Sequence, residues 1–507
     1  MLALCAALAA CTVGPRYAPP AVPTVDRYTS QPASSTIPAA PTAKGNASQA
    51  QELVSGAAVP ERWWTALGSR PIDALVRQAL AHNPDLAAAQ ATLEQSQFEV
   101  RAAQGALYPQ AALGLGAERT RNSGASAGGS FPPQLYNLYT GQVAVSYAPD
   151  VFGLNRSLIR SAEASRDVAA DELAAARLSI AGNVVATAIT LAGLDDEIAA
   201  TAKNVDSQRQ VLKLTRTQYR LGAIAQFQVF TQESLLATTR AQLTQLEQQR
   251  DQALHLLATL VGTFPANAGA LPVPTLASLR LPAQLPVSLP STLVRDRPDI
   301  RAAEAQLRGA NAQVAVAVAR MYPDLQLTAN FGAQANFIHL MFDPAGRAWA
   351  IAASLAAPLF EGGTLRARTQ AAEAAYRAVF AQYQSTVLSA FRNVADVLRA
   401  LAHDSAFLEE QARALRAAQQ ALQLVTMEFQ TGQVGFLDVL TSETQFQAAR
   451  VAFARAEAQR FADTAALYVA LGGGNWAAAD VRRASMATGA PPVAATRDAD
   501  TPGGQGG

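Results

Sequence analysis

The sequence predicts a mainly α-helical chain carrying membrane β-strands, assembled from two copies of one unit: helix, strand, strand, long helix, tight turn, helix. Three observations predict it. His82-Asn83-Pro84-Asp85 and Leu107-Tyr108-Pro109 are answered by Arg297-Pro298-Asp299 and Met321-Tyr322-Pro323, at a shift of 214 residues both times (298 − 84 and 323 − 109). A seven-residue apolar ladder, Val184, Leu191, Ile198, Val205, Leu212 and Tyr219, recurs 210 residues later as Val394, Leu401, Leu408, Leu415, Leu422 and Phe429. Ahead of each ladder stand two segments of about ten residues that alternate apolar with small or polar side chains, the period of a strand with one greasy face.

Met1 to Ala10 reads as the apolar core of a secretory signal peptide. It ends in Leu8-Ala9-Ala10-Cys11, which resembles the bacterial lipobox, where the cysteine thiol receives a diacylglycerol before cleavage. A small-residue cleavage site with an incidental cysteine is the alternative. No Lys or Arg precedes the apolar run, which points to a start downstream of the true one. Cys11 opens a polar, Pro-rich stretch through Pro19-Pro20, as a lipoprotein tether does, so Cys11 is the candidate lipidation site. Thr12 rather than Asp behind it favours delivery to the outer membrane by the rule for such lipoproteins. Several acyl chains on one cysteine, together with a barrel, hold a membrane firmly. Residues 11–62 are expected to form an extended strap, being rich in Pro, Ala, Ser and Thr without helical periodicity.

The first repeat spans residues 63–262. Helical character begins near Pro71 and continues from 72 to 105, until Tyr108-Pro109 breaks the backbone ladder. Strands are expected at about 108–121 and 138–149. In the second of these, Tyr139, Gly141, Val143, Val145 and Tyr147 alternate with Thr140, Gln142, Ala144 and Ser146. The second repeat spans 291–473, with strands at about 323–334 and 348–359. There Leu325, Leu327, Ala329, Phe331 and Ala333 form one face of the first strand, and Trp349, Ile351, Ala353 and Leu355 one face of the second. Their lengths suit tilted membrane strands, and Tyr139, Tyr147 and Trp349 fall at the predicted strand ends, where an interfacial girdle sits. Four strands do not close a barrel, since the smallest membrane barrels have about eight, so the chain is expected to oligomerise. Three copies give twelve strands and no edges, although other multiples satisfy the same arithmetic.

From about Leu154 to Tyr219 there is no Pro and only Gly182 and Gly193; from about Leu365 to Phe429 there is neither. Such a helix is on the order of 100 Å long. Strict heptads impose left-handed supercoiling against neighbours. The return helices keep register, with Val229, Leu236, Leu243, Arg250 and Leu257 matched by Val439, Phe446, Phe453, Arg460 and Leu467. Hairpin turns are expected at 220–226 and 430–436, where glycines permit the positive φ that a tight helical turn needs. Residues 263–290 hold six prolines and form an irregular connector, and 474–507 form a tail, disordered beyond about Ala490.

Composition excludes several classes. A net charge of +1 with 16% charged residues offers no basic stripe for nucleic acid. Both cysteines lie in the first eleven residues, so no disulfide framework or cysteine metal site is expected. The four histidines, His82, His255, His339 and His403, are scattered, the pattern of surface residues and not of ligands. No phosphate-binding loop is present. No run of about 20 apolar residues suits a transmembrane helix, so a crossing of the bilayer falls to strands. Gly124-Ala125-Ser126-Ala127-Gly128 fits a nucleophile-elbow pattern, but Phe131-Pro132-Pro133 follows where that pattern needs a helix. It reads as an extracellular loop.

Several segments carry a family resemblance: Trp63-Trp64, Asn83-Pro84-Asp85-Leu86, the run from Leu293 to Glu304 through Arg297-Pro298-Asp299, Tyr322-Pro323-Asp324-Leu325, and Asp438-Val439-Leu440. With these the chain resembles the outer-membrane efflux proteins, the TolC-like channels, and within them the lipoprotein subfamily serving RND pumps. The resemblance spans roughly residues 11 to 475. It implies a homotrimer, with a twelve-stranded barrel in outer-membrane lipid and a coiled-coil α-helical barrel in the periplasm. It also implies an equatorial belt made by the connector and terminal segments. The implied role is a passive exit duct for drugs or small solutes, delivered by an inner-membrane RND transporter through a periplasmic adaptor, with no cofactor beyond the lipid on Cys11.

The resemblance further implies that the turns, with Gly222 and Ala223 in the first and Gly432 and Gln433 in the second, receive the adaptor's hairpin. They otherwise only reverse the chain. It places an acidic residue at the closed pore mouth, here Asp438, which would form an anionic ring of three. A helix-start aspartate favoured by the dipole is the plainer reading. Gln228 stands at the equivalent place in the first repeat, and a latch partner for Asp438 would come from Arg216 or Arg220. Two rivals remain, a duct for an ABC-driven type I protein secretion system and a lipid-anchored periplasmic adaptor or scaffold. The four alternating segments disfavour the adaptor.

Overall fold

The computed structural model describes residues 13–474 apart from positions 22, 26, 31–34 and 123–133. The expected signal segment 1–10, Cys11, the Gly-x-Ser-x-Gly match at 124–128 and the residues from 475 lie outside the described residues. Two compact units are present. One comprises Ala89–Ala170 and Ile300–Val387 with the described N-terminal stretch up to Ala21; the other comprises Val22–Ala88, Asp171–Asp299 and the chain from Leu388.

The strands are β1 (Thr36–Ile37), β2 (Gln51–Ser55), β3 (Gln110–Asn122), β4 (Gln134–Tyr147), β5 (Gln284–Val287), β6 (Asp324–Ala335) and β7 (Arg347–Ala356). The helices are α1 (Arg70–His82), α2 (Pro84–Gly105), α3 (Leu154–Arg220), α4 (Gln226–Leu260), α5 (Pro290–Asp296), α6 (Pro298–Ala319), α7 (Thr364–Gln430) and α8 (Phe436–Ala470).

In the first unit, β3, β4, β6 and β7 form one antiparallel sheet in that order. Its register aligns Leu113, Val143, Phe331 and Trp349 in one row, with Ala111, Val145, Ala329 and Ile351 in the next row of the same face. Rows of the opposite face hold Gly114, Gln142 and Gly332, or Ala144, Asn330 and Ala350. One face is therefore apolar and the other small and polar. The apolar face is bare: Leu115 is 79% exposed, Ile351 77% and Trp349 72%. These strands are rich in Ala and Gly, poor strand formers, so pattern and not propensity sets them. The second strand opens at Gln134, four residues before its predicted start, so Tyr139 lies inside β4 and not at its end. Tyr147 does close that strand.

In the second unit, the ladder residues Val184, Leu191, Val205 and Leu212 of α3 are buried, as are Val394, Leu401 and Leu408 of α7. Near the first turn, Val205 and Leu212 pack on Val229 and Leu236 of α4, with Leu243 at the margin. One 18-residue window of α3 is apolar enough by composition to cross a membrane, which the sequence reading did not allow for. It is 61% buried in protein, as the core stretch of a packed helix is.

Two further features depart from expectation. The stretch expected as one helix from 72 to 105 breaks at Asn83, whose extended backbone (ψ 125) is what a following proline demands. Arg297, before Pro298, has the same geometry (ψ 122). The strap is also not merely extended coil. Its strand β2 lies between β1 and β5 of the Pro-rich connector, antiparallel to the first and parallel to the second. Pro286 is tolerated in β5 because that strand is at the sheet edge.

Candidate functional site

The helix turns are built alike. In the first, Gly222 takes φ 77°, and the N–H groups of Gly222 and Ala223 donate to the carbonyls of Tyr219 (2.9 Å) and Gln218 (2.9 Å). In the second, Gly432 takes φ 76°, with Gly432 and Gln433 donating to Phe429 (3.0 Å) and Glu428 (2.9 Å). These paired bonds satisfy carbonyls that a helix end otherwise orphans. A Cβ on either glycine would meet nothing within 4 Å. Conformation and not space therefore demands glycine, and both turns are open to a partner.

Around the turns the surface is apolar. Leu221 is 78% exposed, Phe227 74% and Leu437 66%, the last two being repeat equivalents 210 residues apart. Between α4 and α8 runs a groove of about 710 Å³ lined by Phe227, Phe230, Leu235 and Leu440 among threonines. A lining of apolar and hydroxyl side chains together suits an amphipathic helix.

The three residues assigned to a gate are not brought together. The Asp438 carboxylate accepts from the Gly435 N–H at 3.0 Å and caps the start of α8. Arg216 pairs instead with Glu233 across its own hairpin (2.6 Å), and Arg220 donates to Thr217 Oγ1 (3.2 Å). Within one protomer, Asp438 performs the plainer of its two predicted roles.

Sequence reasoning missed a buried polar layer in the second unit. Arg460 is fully buried and its Nη2 donates to the carbonyls of Gln49 (2.6 Å) and Pro38 (3.5 Å) in the strap. Ser405 donates to the same Pro38 carbonyl, and Glu409 accepts from the N–H (2.8 Å) and hydroxyl (2.6 Å) of Thr42. The available signal was an arginine at a ladder position, where a leucine is expected. Burial, reinforced by the charge and hydrogen bond of Asp463, pushes the Asp404 carboxyl up to about 7, against the opposing pull of Arg460. Burial, with Asp196 nearby, likewise raises Glu457 to about 7. No sequence pattern marked either acid.

Comparison with known proteins gives one answer. A family model described as Outer membrane efflux protein matches residues 75–263 and 289–473. The chain is 32% identical over 417 residues to the pyoverdine export outer membrane protein OpmQ of Pseudomonas aeruginosa, covering 82% of this chain and 87% of that one. It is similar in structure to the outer-membrane channel OprN, with a TM-score of 0.81 and 26% identity, covering 92% of this chain and 99% of the other. The outer membrane protein VceC of Vibrio cholerae gives a TM-score of 0.75 at 28% identity, over 82% of this chain and 99% of that one.

Proposed function

The chain belongs to the outer membrane efflux protein family, and from that premise we propose how its parts work as one exit duct. It is an outer-membrane channel of the TolC-like fold and a component of an efflux system, not an enzyme. Three copies close the barrel, with β7 of one copy pairing with β3 of the next. The observation that carries this reading is the four-stranded sheet itself, with two unpaired edge strands and a bare apolar face. Closure removes the edges, and lipid covers the face. The small, polar face then lines a lumen.

A periplasmic adaptor seats on the turns at Gly222, Ala223, Gly432 and Gln433 and in the α4–α8 groove, and an inner-membrane RND transporter supplies cargo through it. Small solutes are the cargo class, in line with the pyoverdine export named for OpmQ. Asp438 of three copies rings the pore mouth, and Cys11 carries lipid that holds the strap to the inner leaflet of the outer membrane.

Cysteines introduced singly along β3 and along β7 test the closure. Disulfide crosslinking of paired variants should give a ladder that stops at three chains. A ladder that continues, or that stops at two, overturns the trimer. Crosslinking in intact cells tests the partners: co-purification of an RND transporter with its adaptor supports small-solute efflux, whereas an ABC exporter changes the cargo to a secreted polypeptide.

A further inference from the structure

The apolar face of the sheet does not stay apolar to its distal end. Side chains of one parity share a face, so Leu113 and Leu115 of β3 are followed on that face by Arg119 and Arg121. In β7, Arg347 precedes Trp349 on the same face, paired with Ala333 as Trp349 is with Phe331. All three arginines are exposed. The other distal members of the face are Ala117, Leu135, Asn137, Tyr139 and Ala335, with no acid among the described residues. Glu118 lies on the opposite face, bonded to Thr120 there. Asp343, in the loop between β6 and β7, is held by the N–H of Ala345 at 2.9 Å.

Aromatics fix the level of these charges. Tyr139 and Tyr147 share the apolar face of β4 and are eight residues apart, on the order of 27 Å along an untilted strand. On strands tilted by about 35–45°, as in membrane barrels, that is a height of about 20 Å, close to an apolar band of about 25 Å bounded by aromatic girdles. Trp349 and Tyr139 form the distal girdle, and Arg119, Arg121 and Arg347 stand at or beyond it, at head-group height. Over β4 and β6 of the same sheet, the short helix Ile338–Phe342 presents Ile338, 62% exposed, and Phe342, 88% exposed, while Met341 lies against Gly141 of the apolar face. Apolar side chains and fixed cations thus share one rim.

We infer that this rim, formed by Arg119, Arg121 and Arg347 with the Ile338–Phe342 turn, is a binding site for a phosphorylated, acylated lipid of the outer leaflet. The inference rests on the membrane-inserted sheet proposed above. Guanidinium groups take phosphate oxygens in paired hydrogen bonds, and the turn packs on the acyl chains. When the barrel closes, β7 and β3 become neighbours, so the arginines of two copies converge at each of the three seams. The site is then completed by assembly.

The full-length channel, purified in mild detergent, would be loaded with bis-phosphorylated lipid A and examined by native mass spectrometry. The wild type should retain it. The combined variant Arg119→Gln, Arg121→Gln, Arg347→Gln should retain about tenfold less, as should the wild type offered dephosphorylated lipid A. Arg209→Gln, which removes an exposed arginine from α3, serves as the charge control and should change nothing. Equal retention by the wild type and an assembled triple variant overturns the site, as does equal retention of the dephosphorylated lipid. Should the triple variant fail to assemble, the comparison of the two lipids on the wild type decides alone. A wild-type chain that does not fractionate with the outer membrane removes both this site and the inserted sheet beneath it.

Discussion

Arg460 and Arg250 occupy equivalent positions 210 residues apart, yet one grips the strap and the other an acid. Arg250 Nε meets Asp195 Oδ1 at 2.5 Å in its own hairpin, both side chains about one-third exposed. At the position equivalent to Asp195 the second repeat has Ser405, which cannot neutralise a guanidinium. Arg460 is left to bond strap carbonyls, and Ser405 joins it on Pro38. Where the first repeat has a surface ion pair, the second has a buried clamp on the N-terminal segment, with Asp404 beside the arginine in place of a directly paired carboxylate. Arg250→Ala should cost less than about 1 kcal/mol, the worth of an exposed pair. Arg460→Ala should cost about 2–3 kcal/mol and expose the strap to protease, since hydrogen bonds to a buried charge are lost. Thermal melting with limited proteolysis checks both. Equal effects would show that burial at 460 is not what matters.

The buried acids make a pH prediction with a definite sign. Asp404 and Glu457 both titrate near 7 in the folded chain, above their ordinary values of 3.8 and 4.5. Below those ordinary values both states are protonated and the folded state keeps its full advantage. As pH rises toward about 7 the unfolded chain sheds these protons first, so stability falls, and it levels off above that. The groups facing Asp404 are Asp463 and Arg460, and Asp196 faces Glu457. The purified channel should melt higher at about pH 5.5 than at about pH 8 through these two acids. Asp404→Asn should shrink the difference, and an unchanged pH profile in that variant would remove Asp404 as a cause.

The repeat, the strands and the turns were legible because each depends on a periodic or local signal. Leu113 and Val143 announce a face through parity, and Gly222 and Gly432 announce turns through the backbone conformation that only glycine adopts cheaply. The strap strands β1 and β2 were not legible, because β1 has two residues and β2 pairs on its other side with β5, about 230 residues away. Asn83 shows the same limit. Its side chain accepts from the N–H groups of Asp85 (2.9 Å) and Leu86 (3.2 Å) and donates to the carbonyl of Leu260 (2.9 Å), across 177 residues. Arg297 makes the equivalent tie to Ala470 (2.8 Å) with different chemistry. Pattern reading finds what repeats, and the two repeats hold the same joint with unlike side chains.

The turn glycines should be replaceable only at a cost. Gly222→Ala and Gly432→Ala each force a side chain to positive φ, worth about 1 kcal/mol, without any steric clash. Both variants should therefore still assemble, with hydrogen exchange faster at the altered turn alone. Exchange spreading through α3 or α7 would show that the turns nucleate the hairpins.

Asp438 allows charge and capping to be separated. Its carboxylate caps α8 through the Gly435 N–H, and an asparagine oxygen accepts the same bond. Asp438→Asn should cost only the dipole share, about 0.3–0.5 kcal/mol, whereas Asp438→Ala should cost about 1 kcal/mol or more at that helix start. If three copies of the charge also ring the pore mouth, both variants should raise ion leak through the purified channel in planar bilayers, and to a similar degree. Leak in the alanine variant alone would assign the effect to a frayed helix start. Unchanged conductance in both would take Asp438 out of the gate altogether, leaving it the capping role that the protomer displays.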